Sequence, residues 1–196
     1  MQLSKKYKQF LPGDLLSFSG YNLAGLVINL GSYGIPFFGL SHIGIAAEYL
    51  GKVRLFESTS LNNTPCLIQG KNVSGSQIQN IDTRIKAYPG MVKRIPIKKK
   101  LTNSESRRLT EYLIKNIGHP YDYLGAERSG GKLWAQLHRF FHEESGESLF
   151  CSEWVALALR QIDVFRTGNA SSWNPNSLYR ELVRRGIYCR RVKLTN

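Results

Sequence analysis

Three residues of this chain carry side chains that together could break an acyl bond. Cys151 stands where a polar stretch, Glu143 to Ser148, gives way to the apolar run Phe150 to Leu159. If a helix starts there, the sulfur lies near unsatisfied N–H groups and the positive end of the helix dipole, and both favour thiolate. The backbone N–H of Cys151 would then also point toward an attacked carbonyl oxygen, as half of an oxyanion hole. The competing account is a buried structural cysteine, because a free thiol behaves as a small hydrophobe. His42 bears on that choice. It shares a strand face with Gly44 and Ala46, small neighbours that leave room above the ring, although an isolated histidine on a core strand is as readily a hydrogen-bonded core residue. A four-residue turn at Glu48 to Gly51 would place Ala47 opposite Lys52 and His42 opposite Glu57. A carboxylate on one ring nitrogen fixes the tautomer and leaves the other nitrogen to act as base toward a thiol.

These residues need elements to hold them. Gly13-Asp14 before Leu15, Leu16 and Phe18 reads as a turn and a short strand. Leu23, Leu26, Val27 and Leu30 mark a helical face over 21–30, ended by Gly31-Ser32 and the Gly34 to Pro36 stretch. Strands are expected at about 40–47 and 52–58. The stretch 61–90 carries Asn, Ser, Gly, Gln and Thr with scattered aliphatics, and is expected to be a long loop excursion with at most one short element. A strand over 92–97 closes on Lys98-Lys99-Lys100. Thr102 with Glu105 three residues on predicts a capping box, opening a helix whose face is Leu109, Tyr112, Leu113 and Ile117 and whose stop is Gly118. A second helical stretch presents Leu133, Trp134, Leu137, Phe140 and Phe141. Val155, Ala158, Leu159 and Ile162 share a helix face with Cys151; Asn174 caps a last short helix, and 187–194 is a final basic strand.

In chain order, Pro12-Gly13-Asp14-Leu15-Leu16, Ser41-His42-Ile43-Gly44-Ile45, Phe56-Glu57-Ser58, Gly118-His119-Pro120-Tyr121-Asp122 and Phe150-Cys151-Ser152-Glu153-Trp154-Val155 form a series of motifs. The series resembles the circularly permuted branch of the NlpC-type papain-fold hydrolases, which includes YiiX-type bacterial proteins, poxviral relatives and lecithin retinol acyltransferase-like enzymes. The resemblance spans residues 12 to about 180, with no motif between Leu61 and Leu101. It implies an α+β, permuted papain-like fold in which an antiparallel sheet packs against the Cys-bearing helix. It also implies Cys151 as nucleophile, His42 as general base and then acid, and Glu57 as the residue orienting His42. Tyr121 becomes a candidate second oxyanion donor or substrate-positioning group. Asp122 reads more simply as a helix cap, and Asp14 as a turn or capping residue.

Composition bounds the rest. With 196 residues, 42% hydrophobic and 11% aromatic, the chain is expected to form a single domain over 1–196 with its own core, not a disordered or collagen-like polymer. Three cysteines without a C-x-x-C make no disulfide framework or zinc site. His138 and His142 share a helix face beside Glu143, but the H-E-x-x-H glutamate and a third ligand are missing, so no metal and no cofactor are expected. The basic N-terminal stretch is not followed by an apolar segment, and no run of 18 apolar residues occurs. The expected location is therefore cytoplasmic or peripheral to a membrane. A net charge of +13 suits an anionic membrane or wall surface; no nucleic-acid motif accompanies it. The expected activity is thiol hydrolysis of an amide or ester in a peptide-like, cell-wall peptide or lipid substrate. Acyl transfer through the same intermediate is one alternative, and a non-catalytic basic binding protein is another.

Overall fold

The computed structural model describes residues 10–20, 39–59, 64–119, 145–166 and 168–194. The expected helix over 21–30, the helical stretch with Leu133 to Phe141, and Tyr121, Asp122, His138, His142 and Glu143 lie outside them.

The sheet has six antiparallel strands. They are β1 (Leu15–Gly20), β2 (His42–Tyr49), β3 (Lys52–Thr59), β4 (Gly75–Gln79), β5 (Gly90–Ile95) and β6 (Val192–Lys193), in the spatial order β4-β3-β2-β1-β5-β6. Four α-helices accompany it among the described residues: α1 (Ile81–Ala87), α2 (Asn103–Lys115), α3 (Ser145–Gln161) and α4 (Pro175–Arg184). The architecture is the expected α+β one, with the helix bearing Cys151 packed against an antiparallel sheet.

Alternation along the strands divides the apolar residues between two faces. Leu15, Ile43, Ile45, Ala47, Phe56 and Ile95 pack with Leu109 and Leu113 of α2, with Cys151, Val155, Ala158 and Leu159 of α3, and with Leu178 and Leu182 of α4. Leu16, Phe18, Ala46, Leu55 and Val92 lie on the other face, where Ile81 of α1 covers them. The Thr102–Glu105 capping box opens α2 as expected, and Asn174 with Ser177 caps α4, where Pro175 occupies the first turn without needing an N–H partner.

Three expectations are corrected. The stretch 61–90 is not all loop: it contains β4 and α1, the latter capped by Asn80, whose side chain accepts from the Thr83 N–H at 3.2 Å. The β2–β3 connection is a two-residue turn of Leu50 and Gly51, with φ of 50° and 70°, and not a four-residue one. Tyr49 therefore pairs with Lys52. The final strand is only Val192–Lys193, with an isolated bridge between Ile97 and Tyr188 before it.

Asp14 has the turn role expected of it. Its carboxylate accepts from the N–H groups of Leu11 at 2.8 Å and Ile97 at 3.0 Å and pairs with Arg94 at 2.7 Å. Burial outweighs these partners and leaves its pKa above the usual carboxylate value. Gly13, with φ of +92°, donates to Ala46 O at 2.8 Å and accepts from the Tyr188 hydroxyl at 2.7 Å. This tie fixes the end of β1 beside β2.

Candidate active site

His42 is the first residue of β2, and its backbone is held from two sides. The side chain of Asn176, in the first turn of α4, donates to Leu40 O at 3.0 Å and accepts from Leu40 N at 2.8 Å, so both polar groups of that buried peptide are satisfied by one amide. Ser41 N donates to Phe18 O at 2.9 Å. The ring of His42 is buried, with its centroid 5.2 Å from that of Phe18.

The register that pairs Ile45 with Phe56 brings Glu57 opposite Gly44, not opposite His42. The difference from the expected pairing is two residues, an even number, so His42 and Glu57 keep one face. Their side chains meet diagonally: His42 Nε2 and Glu57 Oε2 are 2.8 Å apart. Room for the carboxylate stem comes from Gly44, where a Cβ would stand 3.2 Å from Glu57 Cβ, 2.9 Å from Phe56 O and 2.7 Å from Leu55 Cδ1. The small residue thus makes space for Glu57 and Leu55, and not the open volume above the imidazole expected from sequence.

The second oxygen, Glu57 Oε1, accepts from Arg84 Nε of α1 at 2.7 Å. Glu57 is fully buried and Arg84 nearly so. The guanidinium lies 5.0 Å from the Phe18 ring centroid and 5.4 Å from that of Tyr88. Burial alone would raise the Glu57 pKa, but the Arg84 charge, followed by the hydrogen bond and charge of His42, holds it below its usual 4.5.

Cys151 is buried and unoxidised on α3. His42 alternates toward the α1 face while Cys151 belongs to the core of the opposite face, and the two groups interact. Burial by itself pulls the imidazole pKa down. The electrostatic interaction with Cys151, its hydrogen bond with the ring, and then Glu57 outweigh burial and raise the pKa from 6.5 to about 10. With Nε2 engaged by Glu57, Nδ1 is the nitrogen left for sulfur, and it is buried.

Cys151 opens the part of α3 whose side chains are described.

Sequence reasoning missed Arg84 and Asn176. An arginine in a polar segment reads as solvated, and only its place three residues after Ile81, on the same helix face, hints at burial.

No family model matches the sequence, and no curated protein matches it. Among solved structures, the chain is similar to the crystal structure of the metalloprotein yiiX from Escherichia coli O157:H7, at 16% identity with a TM-score of 0.53, over 81% of this chain and 69% of that one. This chain has a yiiX-like fold. The likeness bears out the permuted papain-like architecture, in which the strand with His42 precedes the helix with Cys151. The yiiX protein is described as a metalloprotein. Here, among the described residues, no three His, Cys, Asp or Glu side chains gather as metal ligands, and the Nε2 of His42 is already taken by Glu57. Among the described residues, the donor set around His42 does not fit a metal. No helix among the described residues is long and apolar enough to cross a membrane.

Proposed function

We propose that the chain is a cysteine hydrolase that cleaves an amide or ester bond through an acyl-enzyme on Cys151. The observation that carries this reading is the buried imidazole of His42, bonded through Nε2 to the buried carboxylate of Glu57 at 2.8 Å and interacting with Cys151. A buried ring bonded on one side to a carboxylate and set against a thiol on the other has the arrangement of a nucleophile, its base and an orienter.

In the proposed reaction the Cys151 thiolate attacks the substrate carbonyl while the proton resides on His42. The imidazolium gives that proton to the leaving amine or alcohol as the tetrahedral intermediate collapses. Water then attacks the thioester; His42 takes its proton and returns it to the sulfur as the acid departs. Glu57 holds the ring through Nε2 and stabilises the imidazolium. Tyr121, outside the described residues, is kept as a candidate oxyanion donor or substrate-positioning group. A peptide-like amide and a lipid ester both suit this chemistry, and an alcohol or amine in place of water would make the same intermediate an acyl donor.

The partner proposed beside the substrate is an anionic membrane or wall surface. Lys93 and Lys193 stand directly opposite each other across β5 and β6. Burial, then Arg191 and Lys193, lower the Lys93 pKa below 10.5. Like charges opposed on a sheet repel, and an anionic surface would relieve that repulsion.

Trapping tests the catalytic reading. Incubation with a panel of activated peptide and lipid acyl donors, followed by mass spectrometry of the quenched protein, is expected to show one acyl group, located on Cys151 and absent from Cys151→Ala. Acylation spread over Cys66 and Cys189, or none at all, would contradict it.

A further inference from the structure

We propose that Arg84 is a positioning residue of this site, dividing the Glu57 carboxylate so that one oxygen is fixed by the guanidinium and the other faces His42. The inference rests on the cysteine-hydrolase reading and deepens it. The two oxygens of Glu57 have separate partners: Oε1 takes Arg84 Nε at 2.7 Å and Oε2 takes His42 Nε2 at 2.8 Å. Each contact fixes a different edge of the carboxylate, so its plane cannot rotate without breaking one.

Burial makes the arrangement informative. A guanidinium removed from water is costly unless paired, yet Arg84 is 4% exposed on a helix whose neighbours Asp82 and Lys86 are exposed. Phe18 lies within reach of both cations of the network, 5.0 Å from the Arg84 guanidinium and 5.2 Å from the His42 ring. Arg84, Glu57 and His42 then form a continuous chain of paired groups that leads to Cys151.

The charged and titratable groups facing Glu57 among the described residues are Arg84 from α1 and His42 from β2, with Cys151 of α3 acting through His42 and Tyr88 against the guanidinium. On the β4 side its register partner is Gln77, which carries no charge. Arg84 is therefore the larger of the two cationic influences, ahead of His42, that keep Glu57 ionised when the pH falls. Without it, burial raises the Glu57 pKa, the carboxyl takes up a proton at higher pH, and the imidazolium loses its anionic partner.

A brace that merely tied α1 to the sheet would not produce that pH signature. The test is the rate of Cys151 alkylation by iodoacetamide between pH 4 and pH 10, read by peptide mapping. In Arg84→Met the acid limb is expected to move up by about one pH unit or more, while Arg84→Lys, which retains the charge, moves it less. In the Glu57→Gln background, Arg84→Met is expected to move no limb. A uniform loss of rate at every pH in Arg84→Met, or a limb shift that persists in the Glu57→Gln background, overturns the proposal. If Arg84→Met alone does not fold, the comparison of Glu57→Gln with Arg84→Met/Glu57→Gln decides, because no buried carboxylate is left unpaired: matching profiles support the proposal and differing ones overturn it. A wild-type Cys151 no more reactive than Cys66 and Cys189 would refute the hydrolase reading itself, whereas a selectively reactive Cys151 with an unmoved limb refutes only the part given to Arg84.

Discussion

His42 and Glu57 are diagonal neighbours on β2 and β3, and their side chains bond at 2.8 Å although the register sets Glu57 opposite Gly44. Diagonal pairs stand about 7–8 Å apart at the backbone, within reach of long side chains. Glutamate spans that gap; aspartate, one methylene shorter, would not. Glu57→Asp is accordingly expected to lose most Cys151 reactivity while keeping the charge, and reactivity equal to wild type would contradict the diagonal geometry. The check is the alkylation rate at pH 7.

Glu57→Gln should change two pH dependences in opposite ranges. The folded Glu57 pKa is depressed, so its contribution to stability is fully present above the ordinary value of 4.5 and is lost as pH falls through the lower folded value. Denaturation midpoints of Glu57→Gln should therefore lack that acid-side decline. On the basic side, the proposed reaction needs imidazolium, so activity is lost as pH rises through the His42 value of about 10. Removing the Glu57 charge should bring that limb to lower pH. A basic limb that stays in place would contradict the role given to Glu57.

Gly44→Ala should be damaging despite adding one methyl group. The new Cβ would meet Phe56 O at 2.9 Å, an atom of the backbone that cannot swing aside, and Leu55 Cδ1 at 2.7 Å. Overpacking of this kind costs about 1–3 kcal/mol, measurable by urea unfolding. Because Glu57 Cβ is also within 3.2 Å, Cys151 reactivity should fall in the folded variant as well.

Asn176→Ala tests the clamp behind His42. It removes both bonds to Leu40 and leaves a buried N–H and C=O without those partners, at about 1–3 kcal/mol for each unsatisfied group. Asn176→Asp retains an acceptor for Leu40 N but no donor for Leu40 O, so its thermal midpoint should fall between those of wild type and Asn176→Ala.

Surface binding has its own measurement. Sedimentation with vesicles containing phosphatidylserine should show binding at low salt that weakens as salt is raised, because exposed charges are screened within about 10 Å at 0.1 M. Lys93→Gln with Lys193→Gln should weaken it several-fold, at about 1 kcal/mol for each charge near the surface. Salt-insensitive binding would contradict the role assigned to these lysines.

The shared face of His42 and Glu57 is legible in the sequence because side chains alternate with a period of two, and the two-residue turn differs from the expected four-residue one by an even number. The error arose at Leu50, which has φ of 50°. Leucine rarely adopts positive φ, so the residue carried no signature of the tight turn it forms with Gly51. The α1 helix was hidden because its buried face is made of Ile81 and Arg84, and a charged residue on that face cancels the apolar periodicity. Asn176 was overshadowed by Asn174: both are asparagines beside Pro175, and only the three-dimensional fold brings Leu40, 136 residues away, into reach of the second. The α2 and α4 caps were readable from sequence because capping is local, whereas Arg84 and Asn176 act on segments distant in the chain.

Activation of Cys151 by His42 is measured by site-resolved alkylation of the three free cysteines at pH 6 to 7. Cys151 is expected to react faster than Cys66 and Cys189 although it is buried, and His42→Ala is expected to abolish the difference without affecting the other two. Cys151 alkylating no faster than Cys66 or Cys189, or equally fast with and without His42, would contradict it.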